Sequence, residues 1–301
     1  MTGPSAGGRA PALTVVTASK GRHELLLRKA EALARQTLAP EDFEWRVWLN
    51  EPPARVEAVR EALAAMALPF AVWVGGGSEQ PVGRARNLAA EGARGAVLLL
   101  SDDDCLPGPA ALAAHLAFHA AVPGAVGIGP LRLPEELRRG RRAEPFERPA
   151  ALGRRAFWFN MTGANSSVPA AAFRAVGGYD PDWRGYGGED PELALRLRAA
   201  GLTFRHVPGG DAWHHGRVWD DDAKAYQAGR AHVRVWARHR SLAVALALGV
   251  HPWLVAAKRA LLSGPLARLV DPAVRRYELA YAEGAREELR AAARGLGAAA
   301  R

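Results

Sequence analysis

One cysteine, Cys105, is all that 301 residues offer. That excludes an internal disulfide and suits a reducing compartment. No apolar run approaches the roughly eighteen residues that a membrane-spanning helix needs. The opening MTGPSAGGRAPA lacks the apolar core of a signal peptide. A cytoplasmic protein is expected, soluble or peripheral at the inner face of the membrane. Two nucleotide-binding signatures are missing as well: Gly75–Gly77 lacks the GK[ST] ending of a P-loop, and no GxGxxG opens a helix. Lysine is scarce, 4 residues against 36 arginines, within a formal net charge of +9. Such a balance fits nucleic acid, an anionic membrane or an anionic ligand, and by itself selects none of them.

What is present is a sizeable apolar fraction, 49%, ordered in an alternating pattern. LTVVT (13–17) reads as a buried strand, followed by the polar turn SKGR. A helical period runs over 24–35, with Leu26, Leu27, Ala30, Leu33 and Ala34 on its apolar side. Strands are expected at 44–49, 70–74 and 96–100, with helices at 55–67, 82–94 and 110–121 between and after them. Strand–helix alternation implies right-handed crossovers and a mostly parallel sheet, an α/β fold. Ligands of such sheets bind beyond the carboxyl ends of the strands. SKGR and the acidic stretch SDDDC (101–105) both fall there.

Beyond residue 121 the alternation stops. Residues 137–155 hold seven arginines and two glutamates among prolines and glycines, and read as a mobile basic loop. Residues 157–159 and 163–168 read as strand and turn. A short helix is expected over 189–200, with Asp190 as its N-cap, Pro191 at its first position and Gly201 at its stop. From about residue 236 the chain turns apolar again: LAVALALGV (242–250) precedes His251-Pro252 and WLVAAKRALL, with Arg238, Arg240, Lys258 and Arg259 at the flanks. A helix pair packed on the rest of the protein and an interfacial helix on an anionic membrane both fit, the first being the commoner arrangement.

Three clusters could carry chemistry. Asp102–Asp104 ends the fourth strand; carboxylates two apart in a tight turn can converge on Mg2+ or Mn2+, or simply cap the next helix. WRGYGGED (183–190) joins glycines that permit close backbone approach to Trp183 and Tyr186. Those rings either stack on a sugar or pack in the interior, and the acids Glu189 and Asp190 follow. A carboxylate held ionised at a helix start is suited to general-base work. DAWHH (211–215) supplies His214 and His215 as imidazole ligands. His115 and His119 share one helix face as a rival pair with no third ligand nearby. Cys105 reads as a small buried filler.

Taken in order, VVTASKGR (15–22), GRARNLAAEGARGAVLLLSDDDCLP (83–107) and GANSSVPAAAFRAVGGYDPDWRGYGGEDPELALRLRAAG (163–201) resemble the family-2-like inverting nucleotide-sugar glycosyltransferases of GT-A fold. The later part is similar to the C-terminal domain of galactosyltransferases, in which an acidic pair precedes a metal-binding histidine. The resemblance runs from about residue 13 to 215. It implies a GT-A, Rossmann-like central sheet flanked by helices. The catalytic domain would span 1–235, with a donor half of about 12–125 and an acceptor half of about 126–235; a helical extension would follow at 236–301.

Carried over by position, the resemblance implies that Thr17, Ser19 and Arg22 line the nucleotide pocket and that Arg86 and Asn87 lie beside the diphosphate. Asp102 would face the ribose or the metal, with Asp103 adjoining it in the nucleotide-sugar site. Asp104 would bind the metal, Mn2+ or Mg2+, together with His214 or His215. Asn165 and Trp183 would shape the sugar and acceptor site. Asp190 would be the base and Glu189 a sugar or acceptor contact. The expected reaction moves a sugar from a nucleotide-diphosphate sugar, with a uridine diphosphate as the leading choice, to an acceptor hydroxyl. The acceptor classes are a glycan, a lipid-linked molecule or a small molecule. One departure concerns the base-contacting aspartate of the family, whose place is taken by WLNEPPAR, with Asn50 or Glu51. Two alternatives are weaker. A sugar-phosphate nucleotidyltransferase needs a longer Gly-rich basic signature after the first strand than SKGR. A non-catalytic nucleic-acid binder needs arginines interleaved with aromatics, which only 137–155 approaches, so no nucleic-acid partner is expected.

Overall fold

A computed structural model describes residues 9–138, 156–216 and 222–299. The chain forms two compact units, one of Met1–Trp183 with Leu193–Gly216, the other of Arg184–Glu192 with Arg217–Arg301.

The first unit opens with β1 (Leu13–Ser19), α1 (His23–Ala34), β2 (Phe43–Leu49), α2 (Pro53–Ala65), β3 (Ala71–Gly76), α3 (Val82–Ala90) and β4 (Val97–Leu100). After the aspartates come β5 (Cys105–Pro107), α4 (Ala111–Ala121), β6 (Ala125–Ile128), β7 (Leu131–Arg132) and the single turn α5 (Glu135–Arg138). β8 (Ser166–Pro169), α6 (Ala170–Ala175), α7 (Glu189–Ala199, whose residues from Leu193 on belong to this unit), β9 (Thr203–His206) and β10 (Ala212–His214) follow. Seven strands pair in the order β3-β2-β1-β4-β8-β6-β9, with β1, β2, β3 and β4 mutually parallel and β8 antiparallel to both its neighbours. β1 and β4 are buried along almost their whole length, as strands covered by helices on both faces must be. Leu13, Val15, Trp45, Val47 and Leu99 close one face against Leu26 and Leu33 of α1 and Leu63 of α2.

From β1 the chain winds outward through β2 to β3, then returns to pair β4 on the other side of β1. That reversal leaves a crevice at the carboxyl ends of β1 and β4. A second sheet, β5-β10-β7, lies beside it; β10 runs antiparallel to β5 and sets His214 opposite Cys105.

Several expectations need correction. The alternation does not stop at residue 121, because β6 and β9 extend the sheet as a parallel pair. Their runs, AVGI and TFRH, are four residues each, too short to carry a periodic pattern. Trp158–Asn160 is a 3-10 turn, not a strand. The strand expected to end at Gly75 runs through Gly76, where a Cβ would meet Val56 Cγ2 at 2.4 Å. In α7 the first helical residue is Glu189, since the Glu192 N–H donates to the Gly188 carbonyl. Gly188, at φ 85, makes the entry in a conformation that suits glycine, so Asp190 lies inside the first turn rather than at the N-cap. The basic loop of 137–155 lies outside the described residues except for 137 and 138.

The second unit is helical: α8 (Asp222–His239), α9 (Leu242–Leu248), α10 (Pro252–Ser263), a 3-10 turn (Pro265–Leu269) and α11 (Pro272–Ala299). α8 and α11 approach closely because Gly229 and Gly284 lie where a Cβ would meet backbone oxygens of Tyr281 and Tyr226, at 2.1 and 2.0 Å. Tyr281 donates its hydroxyl to the Leu248 carbonyl (2.7 Å) and pairs with His232 Nδ1 (2.7 Å), which ties α9 to both long helices. Glu192, buried, lies 3.6 Å from Arg238 and 3.8 Å from His239 at the end of α8. The expectation of no span-length apolar segment also changes. Among the described residues Leu242–Ser263 is long and apolar enough to cross a membrane by length and composition alone, and 22% of its 18-residue apolar window is buried.

Candidate active site

The chain after β1 and the chain after β4 meet through charge. Ser19 donates its hydroxyl to Asp103 Oδ2 at 2.6 Å; Arg22 reaches Asp103 Oδ1 at 3.0 Å and also Asp104 Oδ2. Across the turn, Arg86 of α3 is buried and pairs with Asp102 Oδ1 at 2.7 Å. The three aspartates therefore separate into distinct roles in the turn: Asp102 faces Arg86, Asp103 faces Ser19 and Arg22, and Asp104 turns toward β10.

β10 is placed by pairing. The His215 N–H donates to the Asp104 carbonyl at 2.8 Å, next to the His214–Cys105 register pair. His214 Nε2 thus comes to 3.7 Å from Asp104 Oδ2. Among the described residues, Asp104, Cys105 and His214 form a group whose ligand atoms all lie within 4.8 Å of one another. Gly216 keeps the space open, since a Cβ there would sit 2.7 Å from Asp104 Oδ2 and 2.8 Å from His214 Nε2.

Electrostatics sort the three groups. Burial pushes Asp103 up to about 6, against the pull of Ser19 and Arg22. Burial acts on Asp104 too, but His214 and Arg22 outweigh it and hold this carboxyl well below the usual range. Burial first, and then the neighbouring carboxylates, raise Cys105 well above an ordinary thiol. The donor set is therefore an ionised carboxylate and an imidazole beside a protonated thiol. Carboxylate and imidazole suit a divalent ion such as Mn2+ that keeps phosphate oxygens as further partners. The residues present fit such an ion.

A group that the sequence reading missed lies beneath the turn. Lys29 is fully buried and donates to the carbonyls of Ser101 (3.2 Å), Asp102 (2.8 Å) and Cys105 (2.9 Å) and to Ser101 Oγ (2.6 Å). Burial lowers its pKa to about 8 despite the carboxylates above it. The pattern held a clue, because Lys29 interrupts the apolar stripe of Leu26, Ala30 and Leu33.

Other expected site residues are engaged within the fold. Thr17 is fully buried, donating to the Ser101 carbonyl (2.8 Å) and accepting from the Trp45 indole (3.0 Å). Asn87 clasps the backbone N–H and C=O of Tyr179, both at 2.8 Å. Asn50 makes a similar two-way contact with the Gln80 backbone, and Glu51 accepts from the Gly21 N–H. Asn165 donates to the Pro130 and Gly210 carbonyls and meets His115, which shares Ser167 with His119. That network accounts for the histidine pair without a metal. Trp183 is buried. Glu189 and Asp190 open α7 in the second unit, with Glu189 buried. In that unit the preceding glycines let the loop approach α8: Tyr186 N–H donates to Gln227 Oε1 at 3.2 Å, and a Cβ on Gly187 would touch Ala228 at 3.2 Å.

The chain is similar to known proteins in sequence and in fold. Residues 150–217 match the family described as the N-terminal domain of galactosyltransferase, over the stretch likened above to a C-terminal galactosyltransferase domain. Two validoxylamine A glucosyltransferases from Streptomyces hygroscopicus, of subspecies limoneus and jinggangensis, are 32% and 31% identical over 232 residues. The match covers 67% of this chain and 51% and 54% of those proteins, so the chain spans about half the length of the curated relatives it matches. Among solved structures, a mannosyltransferase from Pyrobaculum calidifontis in complex with GDP-Man and Mn2+ superposes with a TM-score of 0.66 at 17% identity. It covers 93% of this chain and 88% of that one. TarS 1-349 of S. aureus, in complex with UDP, gives 0.57 at 12% identity over 93% and 91%. The chain has the GT-A fold, and over two thirds of its length its sequence is similar to that of glycosyltransferases.

Proposed function

We propose that the protein transfers a sugar from a nucleotide-diphosphate sugar to an acceptor hydroxyl, in one metal-dependent step that inverts the anomeric carbon. The observation that carries this reading is the meeting of Asp104 and His214 at the carboxyl edge of the parallel strands, beside Arg22 and the Arg86–Asp102 pair. Asp104 and His214 would hold a divalent cation, Mn2+ or Mg2+. When bound, the cation neutralises charge that grows on the nucleoside diphosphate leaving group.

The chain's own residues supply the rest. Arg22, its side chain 44% exposed, offers a guanidinium to the diphosphate. Arg86 fixes Asp102 from within, so that its carboxylate presents one oriented edge to the ribose or the cation. For the base we keep Asp190, on the GGEDPE pattern and the family match that spans it. It would take the acceptor hydroxyl proton as that oxygen attacks, and one carboxylate acting in one displacement gives inversion. Asn50 uses one amide N–H and one oxygen lone pair on the Gln80 backbone, which orients the side chain and leaves one donor and one lone pair to read the nucleobase. A uridine diphosphate sugar remains the first donor to try, and guanosine the second. The relatives' names make a small-molecule hydroxyl compound the first acceptor class to test. Location in the cytoplasm is part of the same proposal.

Turnover tests the reading. With Mn2+ and a panel of nucleotide sugars, the wild type releases nucleoside diphosphate from one donor class. Asp190→Asn abolishes transfer while leaving donor binding within about twofold, as loss of a general base requires. Full turnover by Asp190→Asn would remove that residue from the mechanism.

A further inference from the structure

The outward faces of α9 and α10 are apolar where a surface helix ordinarily carries charge. In α9 the exposed positions include Leu242 and Leu246, opposite buried Val244, Ala245 and Leu248. In α10 they are Pro252, Trp253, Ala256, Ala257, Ala260 and Leu261, with Ser263 at the helix end, opposite buried Val255 and Leu262. Leu242 is 59% exposed, Trp253 57% and Leu261 51%. A helix apolar on both faces belongs in a core, across a bilayer or against another apolar surface. Exposure argues against the core. The break between the helices argues against a span: Gly249 caps α9 at φ 70 and Pro252 opens α10, leaving helices of 7 and 12 residues. A span needs about 20 continuous residues. An apolar surface patch remains.

Charge identifies what covers it. From residue 223 through 270 the sequence holds Lys224, Lys258 and six arginines, eight cations in all, and no aspartate or glutamate. Arg238 and Arg240 precede α9, Lys258 and Arg259 flank the exposed face of α10, and Arg268 follows. Beside α10 a groove of about 270 Å3 has an apolar lining that includes Val255, Ala256 and Leu289, edged by Arg259, Arg286 and Arg290. The acids nearest this region come from α11: Glu283 meets Arg286 and Arg259, and Glu278 meets Lys258. Arg238 is held by Glu192. Arg230 meets Glu288, and yet over 222–299 eleven arginines and two lysines stand against six acids, so this unit keeps a basic excess after its ion pairs are counted.

We propose that the α9–α10 face is a docking surface for an anionic lipid bilayer, with both helices lying in the plane of the interface. Trp253, Leu261, Leu242 and Leu246 enter the acyl boundary while the flanking cations meet lipid phosphates. A bilayer supplies both chemistries side by side. The proposal holds or fails independently of the transferase reading.

Sedimentation of the full chain with lipid vesicles tests it. Binding to phosphatidylcholine vesicles containing phosphatidylglycerol is expected to exceed binding to phosphatidylcholine alone by about tenfold or more at low salt, and to weaken as salt rises. Trp253→Glu and Leu261→Glu each lower binding to the anionic vesicles by about tenfold, with circular dichroism and thermal unfolding unchanged. Three results overturn the proposal. One is no vesicle binding, or equal binding with and without phosphatidylglycerol. Another is binding that neither substitution weakens. The third is a wild-type dimer that Leu261→Glu splits into monomers without any lipid binding, which assigns the face to a second copy of the chain.

Discussion

Lys29 Nζ donates to the carbonyl of Asp102 at 2.8 Å, from a position with no exposed surface. The backbone of the aspartate turn is thereby folded around a buried cation, which also serves Ser101 and Cys105. Three consecutive carboxylates repel one another, and an ammonium beneath their backbone offsets that repulsion while leaving the oxygens free to face Arg86, Arg22 and His214.

Replacing this lysine removes the cation and leaves buried acceptors unsatisfied. Lys29→Met is expected to cost on the order of 2 kcal/mol of stability, and to weaken Mn2+-dependent nucleotide binding beyond what the loss of folded protein explains. Denaturant titration and calorimetry on the folded variant separate the two effects. Unchanged metal-dependent affinity would make Lys29 a purely structural residue.

Gly163 marks how closely the chain packs on Arg86. A Cβ at residue 163 would lie 2.1 Å from the Arg86 Cζ, so Gly163→Ala must displace the guanidinium from Asp102. Losing one charge-assisted hydrogen bond of this kind weakens nucleotide affinity by about tenfold. Arg86→Ala should do at least as much, and the double variant should add little, because both remove the same pair. Additive losses in the double variant would mean that Gly163 acts elsewhere.

The two histidines make a sharp comparison. His214 approaches the Asp104 carboxylate through its side chain, whereas His215 reaches Asp104 through its backbone N–H. His214→Ala is therefore expected to lower Mn2+ affinity at least about tenfold, as loss of a ligand does, and His215→Ala much less. Titration of Mn2+ by its paramagnetic signal reads both variants directly. The reverse ranking would move the ligand to His215.

Acid should unfold the protein through buried imidazoles. His115, His119 and His232 are each lowered from 6.5 to about 4, chiefly by burial. Between those values the unfolded chain binds the more protons, so stability is full above about 6.5 and falls as pH drops toward 4. The slope is on the order of 1 kcal/mol per histidine for each pH unit. Urea titrations across that window should show the decline. His232→Gln should flatten it in part, and an unaltered slope would indicate that His232 already titrates normally in the folded state.

How much of this could be read from sequence differs between the halves of the chain. Through residue 121 the strands and helices other than β5 are marked by local sequence pattern, and the reversal that brings SKGR beside SDDDC follows from parallel crossovers. β6, β9 and β10 are three or four residues long and exist through pairing with distant segments, so no local pattern marks them. At the site, the resemblance singled out Asp104 and His214, but their meeting depends on β10 pairing with β5 across more than a hundred residues. The interior roles of Thr17 and Asn165 depend on hydrogen-bond partners that sequence does not name. Lys29 alone left a local clue, a cation within an apolar stripe.

Isothermal titration of nucleoside diphosphates with and without Mn2+ tests the central claim most directly, comparing wild type with Asp104→Ala. Saturable binding of one nucleoside diphosphate that needs Mn2+ in the wild type, and loses that requirement together with at least about tenfold in affinity in Asp104→Ala, is the predicted result. Absence of binding by any nucleoside diphosphate, or binding indifferent to both Mn2+ and Asp104, would contradict a metal-assisted nucleotide-sugar site in this crevice.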